Sequence, residues 1–341
     1  MRHHLPVPTA TSLRQVAATV ALALCGLLSV APVLAWVCGL GSFRAWLWCT
    51  TIPASAVLVA AGVVIARRTP GGRLRTSLVA GVAGGLLGTL GYDLFRVPFA
   101  ASGLRVFAPI ESYGVLLTGA SESSPWTDLC GWAYHFGNGI GFGVAYALVA
   151  LGRHPLWGVA WAMVLETATI VTPFALLYGL AGKPNLIALA YAAHVAYGYP
   201  LGVVVRRGVA ARQRLEARTR APIATLLAAL LAVLLVWHRP LWPATADRQG
   251  ARVADGPSTQ VVDGRFRPEW LHVASHGCAT IRNTDPASYT LTGPLMPRTL
   301  AAGADTRVCF TRDGVFRVRT GNRAYSGGFV IVDAAQHASA R

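Results

Sequence analysis

The stretch SLVAGVAGGLLGTLGYDLFRVPF, residues 77–99, decides how the rest of the chain is read. It is long enough to cross a bilayer, which takes about 20 residues of helix. Its glycines include the pairs Gly81/Gly85 and Gly84/Gly88, spaced so that helix backbones can approach closely. Asp93 and Arg96 stand one turn apart near its end, and an ionisable group inside lipid is costly enough to need a partner or a role. Six further apolar runs share this character, at 16–40, 46–66, 128–151, 156–180, 185–205 and 222–237. The expected fold is therefore an α-helical polytopic membrane bundle of about seven transmembrane helices over residues 1–240.

Composition agrees. Hydrophobic residues make up 54% of the chain and charged residues 13%, about half the usual charged share of a soluble domain. The net charge of +16 is not a nucleic-acid footprint, because the arginines sit in short loops between apolar runs. With the N-terminus inside, the cytoplasmic loops collect Arg67, Arg68, Arg73, Arg75, Arg153, Arg206, Arg207 and the arginines of 212–220 against one acid, Glu216. That bias places the C-terminal part outside. The lone Lys183 and the alanine and glycine excess suggest a GC-rich bacterial genome, and hence a bacterial plasma membrane with lipid as the main partner. Arg2, Arg14 and the first run also resemble a cleavable signal peptide. The run is longer than a signal core, so a retained helix is expected.

After the last run the texture changes. Residues 241–262 read as a polar linker. Short alternating runs follow at 269–273, 278–282, 289–292, 306–311, 314–319 and 328–332, the pattern of a β-sandwich over 263–341. The order of its turns carries a resemblance. Phe266-Arg267-Pro268 precedes a strand, Gly277 opens the next, and Asn283-Thr284-Asp285 closes it. Ala302-Gly303-Ala304 and Asp313-Gly314-Val315-Phe316 introduce the later ones. In this order the stretch resembles the cupredoxin family. The resemblance implies an all-β, cupredoxin-like domain serving as an extracytoplasmic interaction or sensing module, with a protein partner on that side. Family members bind copper through two His, one Cys and usually a Met. The corresponding positions here hold Tyr289, Thr320, Arg323 and Ser326 or Tyr325, so the copper site is denied. Cys278 and Cys309 each fall inside an expected strand, and an outer location permits a disulfide between them. Cys38 and Cys49, near the ends of the first two runs, form a second candidate pair.

The chemistry is expected inside the membrane. Asp93, His135, Glu166 and His194 are ionisable groups in four different runs. His135, Asn138, Phe142 and Tyr146 share one helix face, and His194 and Tyr197 lie one turn apart. Turned inward, these faces form one polar pocket with Asp93, His135, Asn138, Tyr146 and Tyr197 as ligand-binding candidates. Two His and two carboxylates suit zinc or iron, with Glu166 and His194 as candidate acid–base groups for hydrolysis in the bilayer. A proton or solute path is a second reading, and a structural hydrogen-bond network is a third. No Gly-x-Ser-x-Gly, phosphate loop or His-Glu-x-x-His occurs.

Overall fold

The computed structural model describes residues 13–68, 72–101, 104, 106–210, 257–274, 276–293, 298–321 and 327–333. The run at 222–237 and most of the linker lie outside them. Helix α1 (Leu13–Leu27) continues through a 3-10 turn at Leu28–Val30 into α2 (Ala31–Val37). Pro32 sits in the first turn of α2, where a missing N–H is tolerated. The Ser42 hydroxyl accepts from Ala45 N–H and starts α3 (Phe43–Trp46), which passes through a π turn at Leu47–Thr51 into α4 (Ile52–Arg68). There follow α5 (Arg73–Ala101), α6 (Ala108–Thr118), α7 (Pro125–Val149), α8 (Leu156–Ile170), α9 (Phe174–Leu177) and α10 (Pro184–Ala210).

Among the described residues, four stretches are long and apolar enough to cross a membrane: Gln15–Val37, Phe43–Arg68, Arg73–Ala101 and Pro184–Gly208. The run at 156–180 is not one helix. It ends as α8 at Ile170, two residues before Thr172, where the following Pro173 disfavours helical geometry. The Thr172 hydroxyl satisfies the broken end by donating to Thr169 O at 2.6 Å.

Helix α5 is the packing axis, and its glycine stripe explains why. A Cβ at Gly81 would stand 2.6 Å from Val144 Cα, and one at Gly85 2.5 Å from Gly139 O, both on α7. On the other side, a Cβ at Gly88 or Gly91 would meet the backbone oxygen of Tyr197 or Ala196 on α10 at 2.8 and 2.6 Å. Any side chain at these four places would push the helices apart.

The C-terminal part is two packed sheets. One has the order β2-β1-β4-β7, from β1 (Ser258–Val262), β2 (Arg265–Arg267), β4 (Cys278–Asn283) and β7 (Asp305–Cys309). The other has the order β3-β9-β8-β5-β6, from β3 (Trp270–Ala274), β5 (Tyr289–Thr292), β6 (Arg298–Leu300), β8 (Gly314–Thr320) and β9 (Gly327–Asp333). Strand β1 falls inside the stretch read as linker. It pairs with β2 through the turn Asp263-Gly264, with φ of 52° and 71°, the left-handed pair a tight hairpin requires. The Asp285 carboxylate accepts both N–H groups of that turn at 2.8 Å. Between the sheets lies a core that includes Val261, Phe266, Ile281, Leu291, Phe316, Val318 and Val330. The disulfide expected between Cys278 and Cys309 is present and joins directly opposed residues of β4 and β7. Cys38 and Cys49 are free and exposed.

The sandwich is docked on the bundle. Val315, Phe329, Ile331 and Trp270 share one core with Val33, Trp36, Phe43, Tyr113, Leu177 and Tyr178 of the helices. Alternation therefore fails in β8 and β9: the outer face of the five-stranded sheet is covered by helices, and both faces are buried. The loop between α6 and α7 extends this sheet. Ser123 N–H donates to Val315 O at 2.8 Å, Val315 N–H to Ser123 Oγ at 2.8 Å, and Arg317 N–H to Ser121 O at 2.9 Å. Glu122 also pairs with Arg312. From its sequence the apolar segment 108–119 reads as lying on or dipping into the membrane surface; it is instead helix α6, buried against α7 and the sandwich. Gly119, with φ of 79°, ends it in the left-handed conformation.

Candidate ligand cavity between the bundle and the sandwich

A cavity of about 320 Å³ lies where the helices meet the five-stranded sheet. Its walls come from α2, α5, α6, α7, α8, α9 and α10, and Trp270 and His272 of β3 face it from the sandwich. These two share a strand face because they are two residues apart, and Trp270 Nε1–H donates to His272 Nε2 at 3.1 Å. Trp270 also meets Tyr178 of the bundle edge to face, with ring centroids 5.0 Å apart.

The four ionisable candidates form two pairs. On one side, Asp93 of α5 and His135 of α7 meet, His135 Nε2 lying 3.1 Å from each Asp93 oxygen. Arg96 donates to Asp93 Oδ1 at 2.6 Å and to Val106 O at 2.7 Å. Its guanidinium stacks between the rings of Tyr92 and Phe107, at 4.3 and 4.6 Å. The charge and both ring-facing sides of Arg96 are thus engaged, while its buried Nε has no hydrogen-bond partner among the described residues. On the other side, His194 Nδ1 of α10 lies 3.3 Å from Glu166 Oε2 of α8 and 2.9 Å from Ala190 O. Thr169 Oγ1 donates to Glu166 O at 2.7 Å and lies 3.2 Å from the same Glu166 carboxylate oxygen. The Tyr92 ring stands between the pairs, 5.9 Å from His135 and 5.0 Å from His194.

The cavity takes in some of the sequence-based candidates and not others. Asp93 does not line the cavity; it lies behind His135 and positions it. Tyr146 is absent from the lining, since it sits three turns, about 16 Å, along α7 from His135. It is 1% exposed in the core with Met163 and Tyr191, against the Trp161 ring. Among the described residues no three of His, Cys, Asp and Glu come together as a metal-holding group. Zinc or iron would need at least three such ligands, and the pairing here divides the four candidates two and two. Asn138 and Tyr197 do line the cavity, and Tyr197 uses its hydroxyl to donate to Gly139 O at 2.7 Å. Trp270 and His272 stand outside the sequence-based candidates. The Trp-Leu-His spacing at 270–272 was a visible signal that both side chains share one face.

Two of the positions that correspond to copper ligands in the resemblance, Tyr289 and Thr320, use their hydroxyls within the sandwich. Tyr289 donates its hydroxyl to Asp285 at 2.7 Å, and Thr320 donates to Gly264 O at 2.8 Å. Neither is a soft ligand, and Arg323, Tyr325 and Ser326 lie outside the described residues. Electrostatics in the sandwich is otherwise local. Burial pushes the Glu269 carboxyl up to about 7, against the opposing pull of Arg265 and Arg267. The Tyr289 hydroxyl, followed by the turn amides, holds Asp285 below its ordinary value.

No family model matches this chain, and no curated protein matches it. Among solved structures, the Cu-containing nitrite reductase (NirK) from Thermus scotoductus SA-01 is similar over 23% of this chain and 22% of that one, at 20% identity and a TM-score of 0.20. The chain thus spans about a fifth of that protein's length.

Proposed function

We propose that this chain is an integral membrane protein that holds a small, largely apolar ligand between its bundle and a cupredoxin-like, copper-less sandwich. In this reading about seven helices cross a bacterial plasma membrane with the N-terminus inside. The sandwich lies on the extracytoplasmic side, roofs the cavity and reports occupancy to a protein partner there. One observation carries the proposal: Trp270 and His272 of the sandwich share a single cavity wall with His135, His194 and Tyr92 of the bundle. A ligand that touches both units couples them. The pairing favours this reading over a metal-dependent hydrolase, because no three of the four ionisable candidates come together among the described residues.

The test is saturable binding of N-phenyl-1-naphthylamine to the full chain in detergent. Expected is one site per chain, lost when Ala190→Trp fills the cavity. Partitioning that does not saturate, or that is equal in both proteins, refutes the proposal.

A further inference from the structure

The cavity wall presents two hydrogen-bond acceptors of the same kind. His194 Nδ1 faces only acceptors, Ala190 O at 2.9 Å and Glu166 Oε2 at 3.3 Å, so that nitrogen carries the proton. His135 Nε2 faces both oxygens of Asp93 at 3.1 Å and carries the proton for the same reason. A ring with its single proton placed there offers its other nitrogen as a lone-pair acceptor, and neither of these nitrogens has a partner among the described residues. Fixing one nitrogen by a carboxylate or carbonyl is how proteins set the tautomer of a working imidazole. The imidazoles, not the carboxylates, are the more open members: 16% against 12% for His135 and Asp93, and 19% against 6% for His194 and Glu166.

The two acceptors belong to one site. Both rings contact Tyr92, at centroid distances of 5.9 and 5.0 Å, so their centroids are at most 10.9 Å apart, the sum of the two. Most of the remaining wall is apolar, with Val33, Ile110, Phe142, Leu165 and Leu189. The Arg96 charge is answered by Asp93, and its terminal nitrogens donate to Asp93 and Val106 O.

We infer that the ligand is an apolar molecule carrying two separated hydroxyl donors, of the alkyl-hydroquinone kind, one hydroxyl donating to His135 Nδ1 and the other to His194 Nε2. This rests on the cavity reading and adds the class of ligand. An acceptor-only molecule of the same shape would leave two buried acceptors unanswered, at a cost of about tenfold in affinity for each lost bond.

The test is displacement of N-phenyl-1-naphthylamine from the full chain at pH 8, under anaerobic conditions, by 2-decyl-1,4-hydroquinone, its monomethyl ether and its dimethyl ether. Expected are successive losses of about tenfold along the series, only one such step in His135→Leu or His194→Leu alone, and a flat series in the double variant that still binds the fluorophore. A flat series with the unaltered chain overturns the inference while leaving the cavity reading intact, and needs no variant to fold. Absence of fluorophore binding defeats the cavity reading itself. Stoichiometric zinc binding that displaces the hydroquinone would also overturn the inference, since the free nitrogens would then be metal ligands.

Discussion

Replacing Gly85 by alanine tests the helix packing on which the cavity depends. The new Cβ would lie 2.5 Å from Gly139 O and 2.8 Å from Ile140 Cα, where ordinary contact begins at 3.4 Å. The shortfall of 0.9 Å falls on backbone atoms, which cannot rotate away, so α5 and α7 must separate. Overpacking of this kind costs about 1–3 kcal/mol. The helix-propensity gain of Gly→Ala, about 1 kcal/mol, acts in the opposite direction. Gly62→Ala supplies the control, because a Cβ there meets nothing within 4 Å. Both variants gain the same propensity, so their difference isolates the clash. Thermal melting of the two proteins in the same detergent should separate them by about 4–8 °C for a difference near 2 kcal/mol. The clash also lies one turn from His135, through Gly139. The separation should therefore loosen the His135–Asp93 pair and weaken fluorophore binding. Equal melting of Gly85→Ala and Gly62→Ala would refute the close approach of α5 and α7.

Three further outcomes are expected. Removing the disulfide by Cys278→Ala with Cys309→Ala should destabilise the sandwich by roughly 3.7 kcal/mol, from the chain-entropy relation for a separation of 31 residues; unchanged melting on adding reductant to the native chain would contradict this. Because the folded Glu269 carboxyl titrates near 7, above its unfolded value of 4.5, its contribution to stability is full below pH 4.5 and is lost as pH rises through about 7. Glu269→Gln should therefore flatten the fall in melting temperature between pH 5 and pH 8, and an identical pH profile would count against it. Ser123→Pro removes the donor to Val315 O and the hydroxyl that accepts from Val315 N–H, worth about 1 kcal/mol each. Amide exchange at Val315 and Arg317 should accelerate while Val330 stays protected, and uniform protection would show that the edge pairing is dispensable.

Local pattern made much of this fold legible. The runs at 269–273, 278–282 and 289–292 foretell β3, β4 and β5 closely, because alternation and turn residues are properties of a few neighbouring positions. The three-residue strands β2 and β6 are too short to show a period, and β1 is masked by its polar surroundings. The segment 108–119 reads as membrane-surface material because its apolar character is visible and its cover is not. Residues more than 150 positions further on, such as Val315 and Phe329, supply that cover. The same limit applies to the site. Asp93 and Arg96 are visibly one turn apart, but the partner of Asp93 is 42 residues away. Which carboxylate meets which histidine depends on how α5, α7, α8 and α10 cross, and the sequence of one chain does not state that. Tyr146 illustrates the converse error. It shares a helix face with His135 and still lies beyond the floor of the cavity, since a face defines direction and not depth.

The five-stranded sheet is the middle layer of three, and this bears on how the protein can be taken apart. A fragment starting near residue 257 would fold with Trp270, Val315, Phe329 and Ile331 uncovered and with the Val315–Arg317 edge unpaired. Such a fragment should self-associate through that slab and that edge. The helices without it would be left with an open-topped cleft. Dissection at the linker therefore yields two sticky halves, and affinity measurements belong to the uncut polypeptide.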